Sequence, residues 1–179
     1  MSGNEHHGTV HGADPAADRF DRDDHAYAFS GTSYVAVEDH DDFTFGTHEF
    51  TIALWARPDR DTGVQYVMGH SDGPGPAAKW IWMFTDHQLG LHERPNGSYW
   101  VYLKPWKPVL GEWYHLVLRR RADTFELFVD GSLLADVDDA RPLPDVAARL
   151  LIGNGEATGR MFVGALDDVR IYSSRATVR

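Results

Sequence analysis

Aromatic side chains concentrate in two short runs, KWIWMF at residues 79–84 and SYWVYL at 98–103. Successive side chains of a β-strand point to opposite faces. Trp80, Trp82 and Phe84 therefore share one face, and Ile81 and Met83 the other. In the second run Tyr99, Val101 and Leu103 lie on one face, with Trp100 and Tyr102 opposite. Trp106 sits in a turn between Pro105 and Pro108. Flat rings cover the apolar C–H faces of sugars while polar groups at the rim meet the hydroxyls. Strand aromatics also pack cores, which is the reading for Trp82 and Phe84. Trp100 and Trp106 are the candidates for ligand contact, one opposite a core parity and the other in a turn.

Carboxylates gather in EDHDD at 38–42, DVDD at 136–139 and the pair Asp167-Asp168. Calcium takes six to eight oxygens, and none of these runs is a contiguous calcium loop. Glycoside hydrolysis needs two carboxyl groups about 5–5.5 Å apart for retention, or about 6.5–9.5 Å for inversion. No Glu-x-Asp-x-x-Glu pattern occurs, and Glu93 and Glu126 each stand alone on their strands, so no catalytic residue is assigned. His6, His7 and His11 could offer imidazoles to zinc, but such a site needs three or four converging ligands. In this Gly-rich opening they read as turn residues. There is no Gly-x-Ser-x-Gly elbow, and the Gly-rich stretches at 73–75 and 153–159 lack the lysine of a phosphate loop.

Acidic residues outnumber basic ones 27 to 17, a formal charge of −10. That balance argues against nucleic acid, whose phosphates need Lys and Arg. The one dense basic run, Arg119–Arg121, reads as a solvated strand edge. The absence of cysteine removes disulfides and thiolate chemistry. No apolar stretch approaches the ~18 residues of a membrane helix, so no membrane span is expected, and the polar opening does not read as a signal peptide.

The elements that would position these residues are strands. They are expected near 26–29, 34–38, 49–57, 64–70, 80–85, 88–93, 98–103, 113–120, 125–129, 132–138, 149–152 and 161–172, with turn signals between most of them. Helical periodicity is confined to short stretches around 15–22 and 144–148. FTIALWAR, at 50–57, is apolar on both parities and predicts a central strand covered on both faces. The 179 residues form one domain, 1–179. If strands alternate in direction, loops 71–79, 94–97, 121–124 and 139–148 share one end. That end carries Asp72, Lys79, Arg94 and Asn96, with Trp80 and Tyr99 adjoining. Loops 58–63, 86–87, 104–112 and 153–160 share the other, with His87, Lys104, Trp106, Lys107, Asn154 and Glu156. The long loop SDGPGPAAK makes the first end the expected mouth. The expected ligand contacts are Asp72, Lys79, Trp80, Arg94, Asn96, Tyr99, Trp100 and Trp106.

Six segments in order carry a resemblance: SGNEHHGTVHG at 2–12, AYAFSGTSYVAV at 26–37, FTIALWARPD at 50–59, GEWYHLVLRR at 111–120, FELFVDG at 125–131 and GALDDVRIY at 164–172. Through them the chain resembles the laminin-G-like, concanavalin A-like lectin–glucanase jelly rolls over nearly its whole length. The resemblance implies an all-β fold, a two-sheet antiparallel β-sandwich (jelly roll), with Trp55 and Trp113 in its core. It implies a recognition module rather than an enzyme, secreted or at the cell surface and joined to further domains of a parent chain. It also implies calcium at one edge, near Asn4 and one of the Asp167-Asp168 pair, with Asp167 the expected ligand and its neighbour facing away. Two features depart from the family pattern. The acid usually found two residues before SGN is absent, and the stretch after VRIY is only loosely kept in SSRATVR, so both ends look trimmed to a domain. The expected function is non-catalytic binding of carbohydrate, a glycan or another cell-surface or extracellular ligand. A protein-interaction or adhesion module and a glycosidase with a non-standard carboxylate pair are the rivals.

Overall fold

A computed structural model describes residues 5–94, 100–156 and 159–174, and of Trp100 the backbone. Fourteen strands follow one another: β1 (Gly8–His11), β2 (Asp14–Ala16), β3 (Ala26–Ser30), β4 (Tyr34–Val37), β5 (Phe50–Pro58), β6 (Val64–Ser71), β7 (Lys79–Thr85), β8 (Gln88–Arg94), β9 (Trp100–Pro105), β10 (Tyr114–Arg121), β11 (Thr124–Val129), β12 (Ser132–Asp138), β13 (Leu150–Ile152) and β14 (Val163–Ser173). They form two seven-stranded antiparallel sheets. The first has the order β1-β4-β13-β6-β7-β8-β9 and the second β12-β11-β10-β5-β14-β3-β2. This is the all-β sandwich that the strand pattern and the resemblance imply, with β1 and β2 as strands that the sequence did not signal.

The core is built by alternation. From the first sheet come Met68, Trp80, Trp82, Phe84, Leu89 and Leu91; from the second, Ile52, Leu54, Leu116, Leu118, Phe125 and Leu127. Burial of such side chains contributes about 1.5–3 kcal/mol each, so the shared layer between the sheets dominates the folding free energy. The strand β5 is central, between β10 and β14, but it alternates buried and half-buried rather than being covered on both faces. Ile52, Leu54 and Ala56 take the core side, which leaves Trp55 on the outer face against His115, with ring centroids 5.2 Å apart. Trp113 is half-buried with the Arg57 guanidinium 5.6 Å from its ring centre. Neither tryptophan belongs to the inter-sheet core, contrary to the resemblance: the core parity of β5 is the even one, which excludes Trp55, and Trp113 lies in the turn before β10.

Two other expectations change. Pro15 and Ala16 lie in β2, residues 144–148 are irregular, and the one helical turn among the described residues is a 3-10 turn at Asp41–Phe43. After β2, the Asp18 carboxylate accepts the backbone N–H groups of Phe20 and Arg22, which closes a turn where a helix was expected. The triple arginine is not at an edge, since β10 runs between β5 and β11. Arg119 pairs with Glu126 at 2.6 Å, and Arg120 is buried, donating to the carbonyls of Gly46, Ala122, Asp139 and Arg141.

Gly90 sets how closely β8 and β9 approach. A Cβ built there would lie 1.7 Å from the Tyr102 carbonyl oxygen. Gly90→Ala is expected to lower stability by about 1–3 kcal/mol through overpacking, read as a reduced urea midpoint; an unchanged midpoint would contradict this packing.

Candidate polar site on the outer face of the first sheet

The register of β6, β7 and β8 puts Tyr66, Gly69 and Ser71 on one face with Lys79, Ile81 and Met83, and with Gly90, His92 and Arg94. Trp80, Trp82 and Phe84 point the other way, into the core. The segment after β13 then folds back over the outer face. It can lie flat there because Gly155 approaches Gly69 and Ile81 so closely that a Cβ on Gly69 would fall 2.6 Å from the Gly155 Cα. Gly153 helps the chain enter this path with a φ of 79°. The Asn154 side-chain Oδ1 accepts the N–H groups of Gly155 and Glu156 at 2.7 and 3.1 Å, which fixes the turn.

The result is a preset polar group. The Glu156 carboxylate meets Lys79 Nζ at 2.9 Å, and Lys79 also donates to the Gly73 carbonyl at 2.6 Å. Tyr66 donates to Glu156 at 3.4 Å and accepts from Arg160 at 2.8 Å. Lys79 is 1% exposed, so its charge is held by these partners rather than by water. Burial pushes the His92 imidazole down to about 4, and the Lys79 charge adds to the effect; at neutral pH it is an uncharged hydrogen-bonding group. Arg160 is exposed, Arg94 is half-buried and paired in register with Lys79, and Asp72 is exposed at the end of β6.

The expected ligand residues divide accordingly. Asp72, Lys79 and Arg94 come together at this corner. Trp80 does not: it is 1% exposed, in the core between Phe45 and His70, because its parity is that of Trp82. Trp106 is elsewhere, half-buried on Phe84 with centroids 5.1 Å apart and edge-on to Tyr114. Asn96 and Tyr99 lie outside the described residues, and the register pairs Trp100 with Glu93. Glu156 and Asn154, expected at the opposite end, belong to this corner, since the glycine contacts carry their loop across the sheet rather than around its rim. Tyr66 and Arg160 were not foreseen at all; the glycine-spaced GNGEATG was the one available signal, and it reads as a turn.

A second cluster lies on the core side at the edge of the same sheet. Glu93, fully buried, is 3.2 Å from an Arg141 nitrogen. Arg141 and Tyr102 both donate to Asp139. Burial pushes the Glu93 carboxyl up to about 8, reinforced by the negative charge of Asp139. Burial also opposes the charge on Asp139, yet bonds from Arg141 and Tyr102 hold it well below the usual carboxylate range. Glu93 is therefore not isolated, as it looked on its strand.

The residues expected to hold calcium present a different picture. Asn4 is outside the described residues. Asp167 lines a cleft of about 610 Å³ with His6, His7, His25 and Tyr27, and Arg19 donates to its carboxylate at 2.5 Å. Burial raises the Asp167 carboxyl and Arg19 opposes the rise. A register shift after Asp167 and a φ of 53° at Asp168 bring Asp168 within 3.5 Å of the same arginine, so the pair does not split between two faces. Calcium needs six to eight oxygens. Among the described residues this place offers imidazoles and the carboxylates of Asp167 and Asp168, both already facing the Arg19 guanidinium, and these side chains alone do not supply six oxygens.

Two seven-stranded sheets packed face to face, with polar groups set on an outer face, define a concanavalin A-like β-sandwich. The chain belongs to the Laminin_G_3 family of the concanavalin A-like lectin/glucanases superfamily, whose pattern matches residues 29–178. No curated protein matches it in sequence. Among solved structures it is similar to domain 4 of AbnA, a GH43 extracellular arabinanase from Geobacillus stearothermophilus in complex with arabinotriose; identity is 17%, TM-score 0.72, and 93% of this chain and 82% of that one are covered. It is also similar to the binding domain of Paraclostridial Mosquitocidal Protein 1, at 17% identity and TM-score 0.76, covering 95% of this chain and 44% of that one. A third similar structure is the CBM40 of the Ruminococcus gnavus IT-sialidase bound to α2,3-sialyllactose, at 15% identity and TM-score 0.66, with 82% and 88% covered. At these identities the likeness is one of fold.

The two shifted groups give a pH dependence. The native His92 refuses a proton that the unfolded chain takes up below its ordinary value of 6.5, so stability rises with pH from about 4 to 6.5. Native Glu93 keeps a proton that the unfolded chain gives up above its ordinary value of 4.5, so its contribution falls as pH rises and is gone above about 8. Between pH 6.5 and 8 only Glu93 of these two acts. Urea unfolding across that window is expected to show falling stability in the wild type and a flatter profile in Glu93→Gln. Equal slopes would remove Glu93 from the account.

Proposed function

We propose that this domain is a non-catalytic carbohydrate-recognition module whose ligand meets the outer face of the first sheet. The observation that carries the reading is the buried Lys79–Glu156 pair with Tyr66 and Arg160 attached to it, next to Asp72 and Arg94. These groups are fixed before any ligand arrives, and preorganised polar atoms of both charges suit the hydroxyls of a sugar. The family supports the reading, as do similar domains whose descriptions name arabinotriose and sialyllactose. Glu93 and Asp139 are both buried away from solvent, which speaks against that pair as hydrolytic carboxylates. A secreted or cell-surface setting, with the domain attached to a longer chain, accords with this role.

A protein ligand is the second reading, and one surface favours it. Ala53, Val117, Phe128 and Leu133 are paired in register across β5, β10, β11 and β12, and Leu133 is 53% exposed. That row is apolar and lies on the outer face of the second sheet, opposite the polar site.

On a glycan array the wild-type chain is expected to bind a defined set of sugars. Arg160→Ala and Glu156→Gln are each expected to weaken that binding about tenfold or more, the effect of losing one charge-assisted hydrogen bond. Absence of sugar binding, or variants that bind like wild type, would reject the site. Capture of a protein partner that free sugars do not displace, and that Leu133→Lys abolishes, would establish the second reading instead. With Arg19 on Asp167, the melting midpoint is expected to be the same in chelator and in millimolar calcium. Calcium bound to the native state at a hundredfold excess over its dissociation constant would add about 2.7 kcal/mol, and a rise of that size would restore calcium to the structure.

A further inference from the structure

The chain ahead of β1 is held to the 3-10 turn by a group that the polar site does not use. His6 Nε2 donates to Asp42 Oδ2 at 2.8 Å. His40 Nδ1 lies 3.4 Å from the same oxygen. The three donor atoms offered by His6, His40 and Asp42 all fall within 4.8 Å of one another. The rings are set by packing, with His6 4.4 Å from His40 and 5.1 Å from Phe43 between centroids. Phe43 is buried in the core, so the turn that presents Asp42 is anchored.

We propose that His6, His40 and Asp42 bind a divalent transition-metal ion of the zinc type. Two imidazoles and one carboxylate are a donor set suited to zinc rather than to calcium. Bonds of about 2.0–2.1 Å in a tetrahedron put neighbouring donors roughly 3.3–3.4 Å apart. The separation between His40 and Asp42 already has that value, and the His6–Asp42 contact opens by about half an ångström when the metal replaces the shared proton. His40 Nδ1 now accepts the Asp42 backbone N–H at 3.1 Å; the ion takes the place of that N–H. Three protein donors leave a coordination position for water or for an atom of a ligand. His6 also lines the cleft of about 610 Å³, so the ion sits at its rim.

The site has a structural consequence. The strand β1 is an edge strand that pairs only with β4, over four residues. A metal shared between His6 and the 3-10 turn would cross-link the start of the chain to residues 40–42. This differs from the calcium expected near Asp167, whose donors are other residues.

The test uses the untagged, chelator-treated chain titrated with zinc chloride by calorimetry, and with cobalt chloride for its visible absorption. The expected result is one ion per chain, undisplaced by excess calcium. His6→Gln and His40→Gln are each expected to lose affinity about tenfold or more, while His7→Gln and His11→Gln keep it. His40 is well exposed, so His40→Gln retains the fold, and metal-free melting of each variant verifies this. Failure of the wild type to take up zinc, or zinc binding by His40→Gln equal to wild type, would overturn the proposal. Sugar binding is read separately on the array, so either result can fail without the other.

Discussion

Close packing of rings between two sheets is the constraint on which this structure depends. Trp80, Trp82, Phe84, Phe50 and Phe125 all lie in one layer, and Phe45 stacks on Phe50 at 4.2 Å. A layer at such density tolerates neither voids nor extra atoms. It therefore fixes the parity of every strand that contributes to it, and parity decides which side chains remain outside. Trp55 and Lys79 occupy outer positions because the alternate residues of β5 and β7 are committed to the core. The chemistry of the molecule is what this commitment leaves over.

The two outer faces were then used differently. On the first sheet, glycine at positions 69 and 155 lets a backbone segment lie against the strands, and this brings Glu156 onto Lys79. The segment desolvates the charges it covers, so they are bound to one another and fixed in place. The outer face of the second sheet is more open. Its aromatic and apolar groups are shielded in part by guanidinium groups, Arg19 on Trp55 and Arg119 on Phe128. The same domain thus offers a rigid polar surface on one side and an amphipathic one on the other.

Buried charge recurs at the seams. Arg120 threads from β10 to the carbonyls of the segment after β12, and Asp139 gathers Arg141 and Tyr102 beside Glu93. These groups link loops that the ring layer does not reach. A buried arginine with several carbonyl acceptors specifies loop position more than it adds stability, since taking the charge out of water offsets much of the attraction.

The sequence by itself determined the all-β class, most of the strands and the partition of Trp82 and Phe84 to the interior, because two-residue alternation and turn residues are local properties of the chain. It also brought forward Asp72, Lys79 and Arg94 as neighbours, since they flank adjacent turns. What only the tertiary structure decided is which outer groups meet. Glu156 on Lys79, Arg160 on Tyr66, Arg19 on Asp167 and His6 on Asp42 are pairs far apart in sequence, produced by strand order and by close glycine contacts. The same holds for Trp55, Trp80 and Arg120, whose surroundings depend on which face of the strand the other sheet covers. Spacing along a chain fixes relative direction within one strand; only packing against another sheet assigns that direction an inside and an outside.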